Sequence, residues 1–259
     1  MNILAIGDVV GSNGCAFLRA HLPQLKKLKG IDLVIANGEN SADGNGITPA
    51  SADYLFHSGV DVITTGNHAF RRRECYPLFD EEPNLIRPAN FPEGSTPGHG
   101  LCVVDMGRVQ VCIINLMGVV YLDSLGCPFA AADRLVKEAQ SLGAAVILVD
   151  FHAEATAEKR ALGYYLDGRV SALFGTHTHV QTADECILPQ GTGYITDVGM
   201  TGAIHSVLGV EVSSAIERMK TKMPVRFTQA KGDAKMDCIL FSIDTASGKT
   251  VEIERIEIV

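Results

Sequence analysis

Residue types that ligate metals or move protons recur along this chain in five short clusters. They are Asp8 in GDVVG, Glu39 and Asn40 in NGENSADG, Asn67 and His68 in GNH, His152 in DFHAE, and His177 and His179 in GTHTH. The last cluster sets the pattern. Its two histidines stand one residue apart after the apolar run Val170–Phe174, and alternate residues of an extended chain share a face. Alone, that pair fits two core histidines as well as two ligands. Together the clusters offer carboxylate oxygens, amide carbonyl oxygens and imidazole nitrogens. This mixed set suits manganese, iron or zinc, and its lack of cysteine argues against a structural zinc site. It is too large for one ion of about four to six ligands, whereas two ions about 3.5–4 Å apart and bridged by a carboxylate would use it. Four positive charges against two carboxylates leave such a site positive and able to take a phosphate group. Water held between two such ions loses its proton near neutral pH.

Each cluster follows an apolar run of strand length. Ile3–Gly7, Asp32–Ala36, Val60–Thr64, Val146–Val149 and Val170–Phe174 read as strands, and the polar residues sit at their carboxyl ends. In open α/β sheets those ends gather at one edge and build sites there. Helical patterns fill the gaps: Ala16–Leu28, with a possible kink at Pro23; a helix from Pro49 with Thr48 as its cap; Ala130–Leu142 closed by Gly143; and Ala157–Leu166. Further strands at 101–104, 109–114, 238–243 and 251–258, the last two joined by a turn at Thr245–Lys249, exceed one comfortable sheet. The expectation is an α/β protein with two packed mixed β-sheets flanked by helices, as a single domain over 1–259.

Bulk properties narrow the class. The chain has 259 residues, 46% hydrophobic, and a formal net charge of -8. An acidic surface with no basic stripe does not suit long nucleic acid or a membrane. Seven cysteines without a C-x-x-C pattern read as buried reduced thiols. With no basic leader and no apolar segment of about 20 residues, a soluble cytoplasmic protein is expected. The turn Gly7–Gly14 is no dinucleotide fingerprint: it lacks G-x-G-x-x-G, and Asp8 would repel a pyrophosphate.

Blander roles remain open for several residues. Asp8 could cap a turn, and Asn40 could merely hydrogen-bond Glu39. Asp150 and Glu154 could orient His152, although a helix-cap role suits Glu154 equally. Asp43, Asp197 and Thr201 could touch substrate, but turn chemistry explains them. His21, His57, His99 and His205 read as structural or surface residues.

The five clusters, in order, resemble those of the calcineurin-like metallophosphoesterases. GDVVG, NGENSADGNGIT, the stretch from Asp150 to Glu185 and YITDVGMTG are similar to the YmdB-like branch in particular, over nearly the whole chain. That branch carries no histidine two residues after the first aspartate, where Val10 stands, and bridges its ions with a glutamate. The resemblance implies one metal on Asp8, Glu39, Asn40 and His179, and a second on Glu39, Asn67, His152 and His177. The ions would be iron or manganese, with zinc an option. It further implies that His68 serves as general acid in hydrolysis of a cyclic nucleotide, notably 2′,3′-cyclic AMP, and that the chain self-associates. Two stretches depart from the branch, Ala69-Phe70-Arg71 with Arg72 and Arg73, and Ala203-Ile204-His205. They bear on substrate choice and subunit contacts, and the arginines read more simply as a solvated helix start. The rivals are a phosphomonoesterase or nuclease using the same metals, and a metal-stabilised regulatory scaffold.

Overall fold

The computed structural model describes residues 1–259. Thirteen strands and six α-helices alternate along it: β1 (Asn2–Ile6), β2 (Asp8–Val9), α1 (Gly11–Lys29), β3 (Leu33–Asn37), α2 (Pro49–His57), β4 (Val62–Thr64), α3 (Tyr76–Glu81), β5 (Leu101–Asp105), β6 (Gln110–Met117), α4 (Pro128–Ser141), β7 (Val146–His152), α5 (Thr156–Tyr165), β8 (Ala172–Thr176), β9 (Cys186–Ile187), β10 (Gly193–Ile195), β11 (Met200–Ala203), α6 (Val212–Thr221), β12 (Ala234–Asp244) and β13 (Lys249–Ile258).

The strands form two mixed sheets. One runs β2-β11-β12-β1-β3-β4 with β13 paired to β12, and the other runs β5-β6-β7-β8-β10-β9. Within them β1, β3 and β4 are mutually parallel, as are β6, β7, β8 and β10. Strands buried on both faces carry continuous apolar runs rather than alternation, which explains LVIAN and VILVDFH. Ile3, Ala5, Leu33 and Ile35 of the first sheet interlock with Ile113, Leu148, Ala172 and Phe174 of the second as the central core. Leu18, Leu22, Leu25 and Leu55 bring α1 and α2 onto the outer face of the first sheet. Ala132, Leu135, Val136 and Leu162 bring α4 and α5 onto the outer face of the second. The result is the expected layering of helix, sheet, sheet, helix.

Local sequence decides where each helix begins. Thr48 caps α2 in a reciprocal box with Ser51: the Ser51 amide donates to Thr48 Oγ1 at 3.2 Å, and the Thr48 amide to Ser51 Oγ at 3.0 Å. Helix α1 starts at Gly11, five residues before the expected boundary, and runs through Pro23. Its first turn is capped from outside, by Asp43 Oδ1 accepting from the Ser12 amide at 2.9 Å. Gly143, at φ 79°, closes α4 as expected. No helix is long and apolar enough to cross a membrane. Five of the seven thiols are buried; Cys186 is half-buried and Cys127 exposed.

Candidate metal centre

The parallel strands of both sheets deliver their carboxyl ends to one place. Asn37 ends β3, His152 ends β7 and Thr176 ends β8. Asn37 Nδ2 lies 3.3 Å from each of Asp150 Oδ2, His152 Nδ1 and Thr176 Oγ1. One buried amide therefore ties the two sheets together beneath the site. Above it, all eight side chains singled out from the sequence are brought together.

On one side, four donor atoms converge. His152 Nε2 lies 2.9 Å from Asn67 Oδ1, 3.0 Å from His177 Nδ1 and 3.3 Å from Glu39 Oε1. On the other side, His179 Nε2 lies 3.6 Å from Asp8 Oδ1 and 3.5 Å from Asn40 Nδ2, and Asn40 Nδ2 donates to Glu39 Oε1 at 3.1 Å. Glu39 thus stands between the two groups. His68 lies beside both: its amide donates to Glu39 Oε2 at 2.9 Å, and its Nδ1 faces Asn40 Oδ1 at 2.9 Å and Glu39 Oε1 at 3.2 Å.

The back of each imidazole fixes which nitrogen faces the cluster. Thr176 spends its one hydroxyl proton on Asp150 Oδ1 at 2.8 Å, so it accepts from His152 Nδ1 at 2.9 Å. Glu154 Oε2 sits 3.0 Å from His177 Nε2. Leu208 O sits 3.2 Å from His179 Nδ1. Each ring is therefore set to turn a lone pair inward. The carboxylate of Glu154 orients His177 rather than His152, and Asp150 reaches the His152 ring by hydrogen bonding through Thr176.

Charge and desolvation agree with a cation-binding role. Asp8, Glu39 and His152 are almost wholly buried, and Asp8 Oδ1 has no hydrogen-bond partner. An orphan carboxylate oxygen at that depth is costly unless a cation meets it. Burial raises the Asp8 carboxyl above its ordinary range. Burial opposes charge on Glu39 too, but the His152 and His68 rings outweigh it and hold that carboxyl well below the usual value. Burial also opposes charge on His152, yet Glu39, Asp8 and Asp150 together push its pKa up to about 9. Burial and the neighbouring His152 charge push His177 down to about 3. The carboxylates around His152 thus favour positive charge at this point of the cluster. The inward lone pairs, the orphan oxygen and the hard N/O chemistry fit divalent ions.

Backbone geometry and close packing hold the candidate ligands in place. His177 and His179 both have positive φ, 100° and 62°, a region that few residues with a side chain occupy. The His177 amide donates to Asp8 Oδ2 at 3.0 Å, and Thr178 donates from its amide and hydroxyl to Asp197 Oδ2 at 3.1 and 2.7 Å. Asp197 in turn pairs with Lys159 at 2.6 Å, both fully buried. Gly66 and Gly175 open their motifs because nothing larger fits: a Cβ on the first would strike the His152 ring, and on the second the Thr196 carbonyl.

Several of these roles escaped the sequence. Asn37 and Thr176 stand just past the expected strands with nothing to mark them as supports beneath the site, and Lys159 lies in the expected helix with no sign of its burial. Asp197 was legible only as a turn or substrate-contact residue, because β10, which delivers it, is three residues long. Asp43 caps α1 rather than meeting the cluster. Arg72 donates to Asp43 O and Asn45 O at 2.6 and 3.0 Å and pins that loop, while Arg71 and Arg73 are exposed. His205 is exposed beyond β11.

A cleft of about 300 Å³ opens onto the cluster, lined on one side by Glu39, Asn40, His68, His177 and His179. A larger hollow of about 440 Å³ lies elsewhere, but its Arg134 is paired to Glu93 at 2.7 Å and no ligand set converges there. Size alone does not pick the site.

A family model described as YmdB-like protein matches residues 4–256. The chain belongs to the YmdB-like family. Over 256 residues this YmdB-like chain is 50% identical to the 2′,3′-cyclic-nucleotide 2′-phosphodiesterase of Bacillus subtilis, a match spanning 99% of this chain and 96% of that protein. The crystal structure of a novel phosphatase from Mycoplasma pneumoniae superposes with a TM-score of 0.94 at 32% identity, covering 100% of this chain and 93% of that one. The crystal structure of a hypothetical protein from Thermus thermophilus gives 0.93 at 43% identity, covering 99% and 98%. The metallophosphoesterase layering of this YmdB-like chain is thus shared along its whole length.

Proposed function

We propose that this chain is a metal-dependent phosphoric diester hydrolase that opens nucleoside 2′,3′-cyclic phosphates. The observation that carries the reading is the single cluster of Asp8, Glu39, Asn40, Asn67, His152, His177 and His179, with His68 at its rim and a cleft in front. Asp8, Glu39, Asn40 and His179 would hold one divalent ion. Glu39, Asn67, His152 and His177 would hold the other. The ions, when bound, supply Lewis acidity for the phosphate oxygens and a water-derived nucleophile at neutral pH.

The chain's own residues do the rest. Asp8 and Glu39 offset half the charge of two divalent ions, so the pocket stays cationic within an acidic protein and attracts a phosphodiester. Thr176, Glu154 and Leu208 O keep the three imidazoles in the tautomer that binds. His68 is anchored through Nδ1 by Asn40 and Glu39. Its other ring nitrogen is left to hand a proton to the departing ribose oxygen. The full-length likeness to the Bacillus subtilis enzyme supports the cyclic-nucleotide substrate.

The test is a panel of 2′,3′-cyclic AMP, 3′,5′-cyclic AMP, a nucleoside monoester and single-stranded RNA. The expected result is preferential opening of the 2′,3′-cyclic ester, abolished by chelation. Faster turnover of the monoester or the RNA would replace this reading with a phosphatase or nuclease.

A further inference from the structure

Part of the cleft lining is apolar, and its side chains have no part in holding the ions or moving the proton. Val10, Leu208, Val210 and Phe227 supply it, beside Gln229. Residues 207–210 form a tight turn in which the Val207 and Val210 amides exchange hydrogen bonds with each other's carbonyls at 2.8 and 3.0 Å. Both corner residues have positive φ, Leu208 at 54° and Gly209 at 90°. A two-residue corner with two positive φ values calls for Asn-Gly or Asp-Gly. A leucine at its first position is strained, and such outliers persist where the surroundings enforce them, often at ligand sites. Here the strained residue places its carbonyl on His179 Nδ1 and leaves its side chain 45% exposed at the cleft. The turn is braced by residues 228–230: the Glu211 amide donates to Thr228 O and the Ala230 amide to Gly209 O, both at 2.9 Å. That ribbon carries Phe227, 49% exposed and engaged in no aromatic pair.

An unpaired phenyl face and a leucine lining the same cleft as the proposed phosphate-binding cluster have the chemistry of a nucleobase seat. Bases have apolar π faces and stack on aromatic side chains. We propose that Phe227 and Leu208 form the subsite for the substrate's base, with Phe227 as the stacking face, so that this wall sets the preference for nucleotides over simple phosphodiesters. The inference rests on the phosphodiesterase reading for its turnover test, but not for its binding test.

The chain contains no tryptophan, so Phe227→Trp introduces a sole indole at the cleft. Its emission should be quenched saturably by adenosine 3′-monophosphate and left unaltered by inorganic phosphate, which can reach the cations but cannot stack. In turnover, Phe227→Ala should lower the ratio of kcat/KM for 2′,3′-cyclic AMP to that for a base-free ribose 2′,3′-cyclic phosphate by about five- to hundred-fold, the range base–aromatic stacking supplies. Phe227→Trp should preserve the ratio. The proposal is overturned if the nucleotide and phosphate quench alike or not at all, or if the ratio moves less than about twofold. It is also overturned if Phe227→Ala lowers both rates together with a change in sedimentation. The wall would then be packing for a second copy, continuous with the exposed Val212, Ile216 and Met219 of α6. If the wild-type chain opens neither cyclic ester, the phosphodiesterase reading fails while the quench titration still decides the base seat.

Discussion

Lys159 is the strongest place to test how the site is held. It is wholly buried, donates to Thr176 O at 2.8 Å and to Asp197 Oδ2 at 2.6 Å, and so ties α5 to the turn that carries His177 and His179. Lys159→Met keeps most of the stem but removes the ammonium. Asp197 then remains buried with only the Thr178 amide and hydroxyl and the Gly199 amide as donors. Removing one partner of a buried pair costs about 3–5 kcal/mol. For a chain of this length each kcal/mol corresponds to about 2 °C, so the expected fall in Tm is about 6–10 °C. Metal occupancy should fall as well, because the positive φ values of the two histidines proposed as ligands lose their brace. Thermal unfolding of metal-loaded and chelated protein reads the first effect, and elemental analysis the second. The double variant Lys159→Met/Asp197→Asn should recover at least half of the lost stability, since it removes the orphaned charge. A Tm within about 2 °C of wild type would refute the reasoning, as would a double variant no better than the single one.

Other outcomes follow from the same geometry. His68→Ala should lower kcat by about 10²–10⁴-fold while the metal content stays at the wild-type value, the result expected if His68 is the proposed general acid and not a ligand. Gly66→Ala should lose metal and activity together, since its Cβ would drive into the His152 ring; a metal-replete, active variant would contradict that packing. The pH dependence has a definite sign. In the metal-free chain the His152 pKa is raised to about 9 from an ordinary 6.5. Its contribution to stability, of about 3 kcal/mol, is therefore complete below about pH 6.5 and lost as pH rises through about 9. Metal must displace that proton, so apparent affinity should tighten about tenfold per pH unit between about 7 and 9, with proton release visible by calorimetry in buffers of different ionisation enthalpy. A flat affinity over that range would count against the ligand role of His152.

What the sequence disclosed followed from periodicity and chain order. Continuous apolar runs marked β1, β3, β7 and β8, and polar residues just past each run had to meet once those strands lay parallel. That reasoning named the eight residues the fold brings together. It failed where the signal was short or tertiary. Strands β2, β9, β10 and β11 have two to four residues each, too few for a period to be read, so the sequence offers Asp197 a turn or a substrate contact but not a buried ion pair with Lys159. Helix α6 and the ribbon around Phe227 escaped for a different reason: their order comes from pairing between residues 207–211 and 228–230, which no local pattern encodes. Lys159 shows the limit most plainly. Nothing in TAEKRALGYY marks its lysine as buried, and only the packing of α5 over β8 and β10 makes it an internal cation. The roles of Thr176, Glu154 and Leu208 O behind the imidazoles are likewise questions of orientation, which residue types cannot answer.

The central claim is that two divalent ions share Glu39. Elemental analysis of protein purified without chelator should give about two equivalents per chain, falling to about one when either His177 or His179 is replaced by alanine. A wild-type content of one ion or none, in protein that still opens 2′,3′-cyclic AMP after exhaustive chelation, would contradict the account.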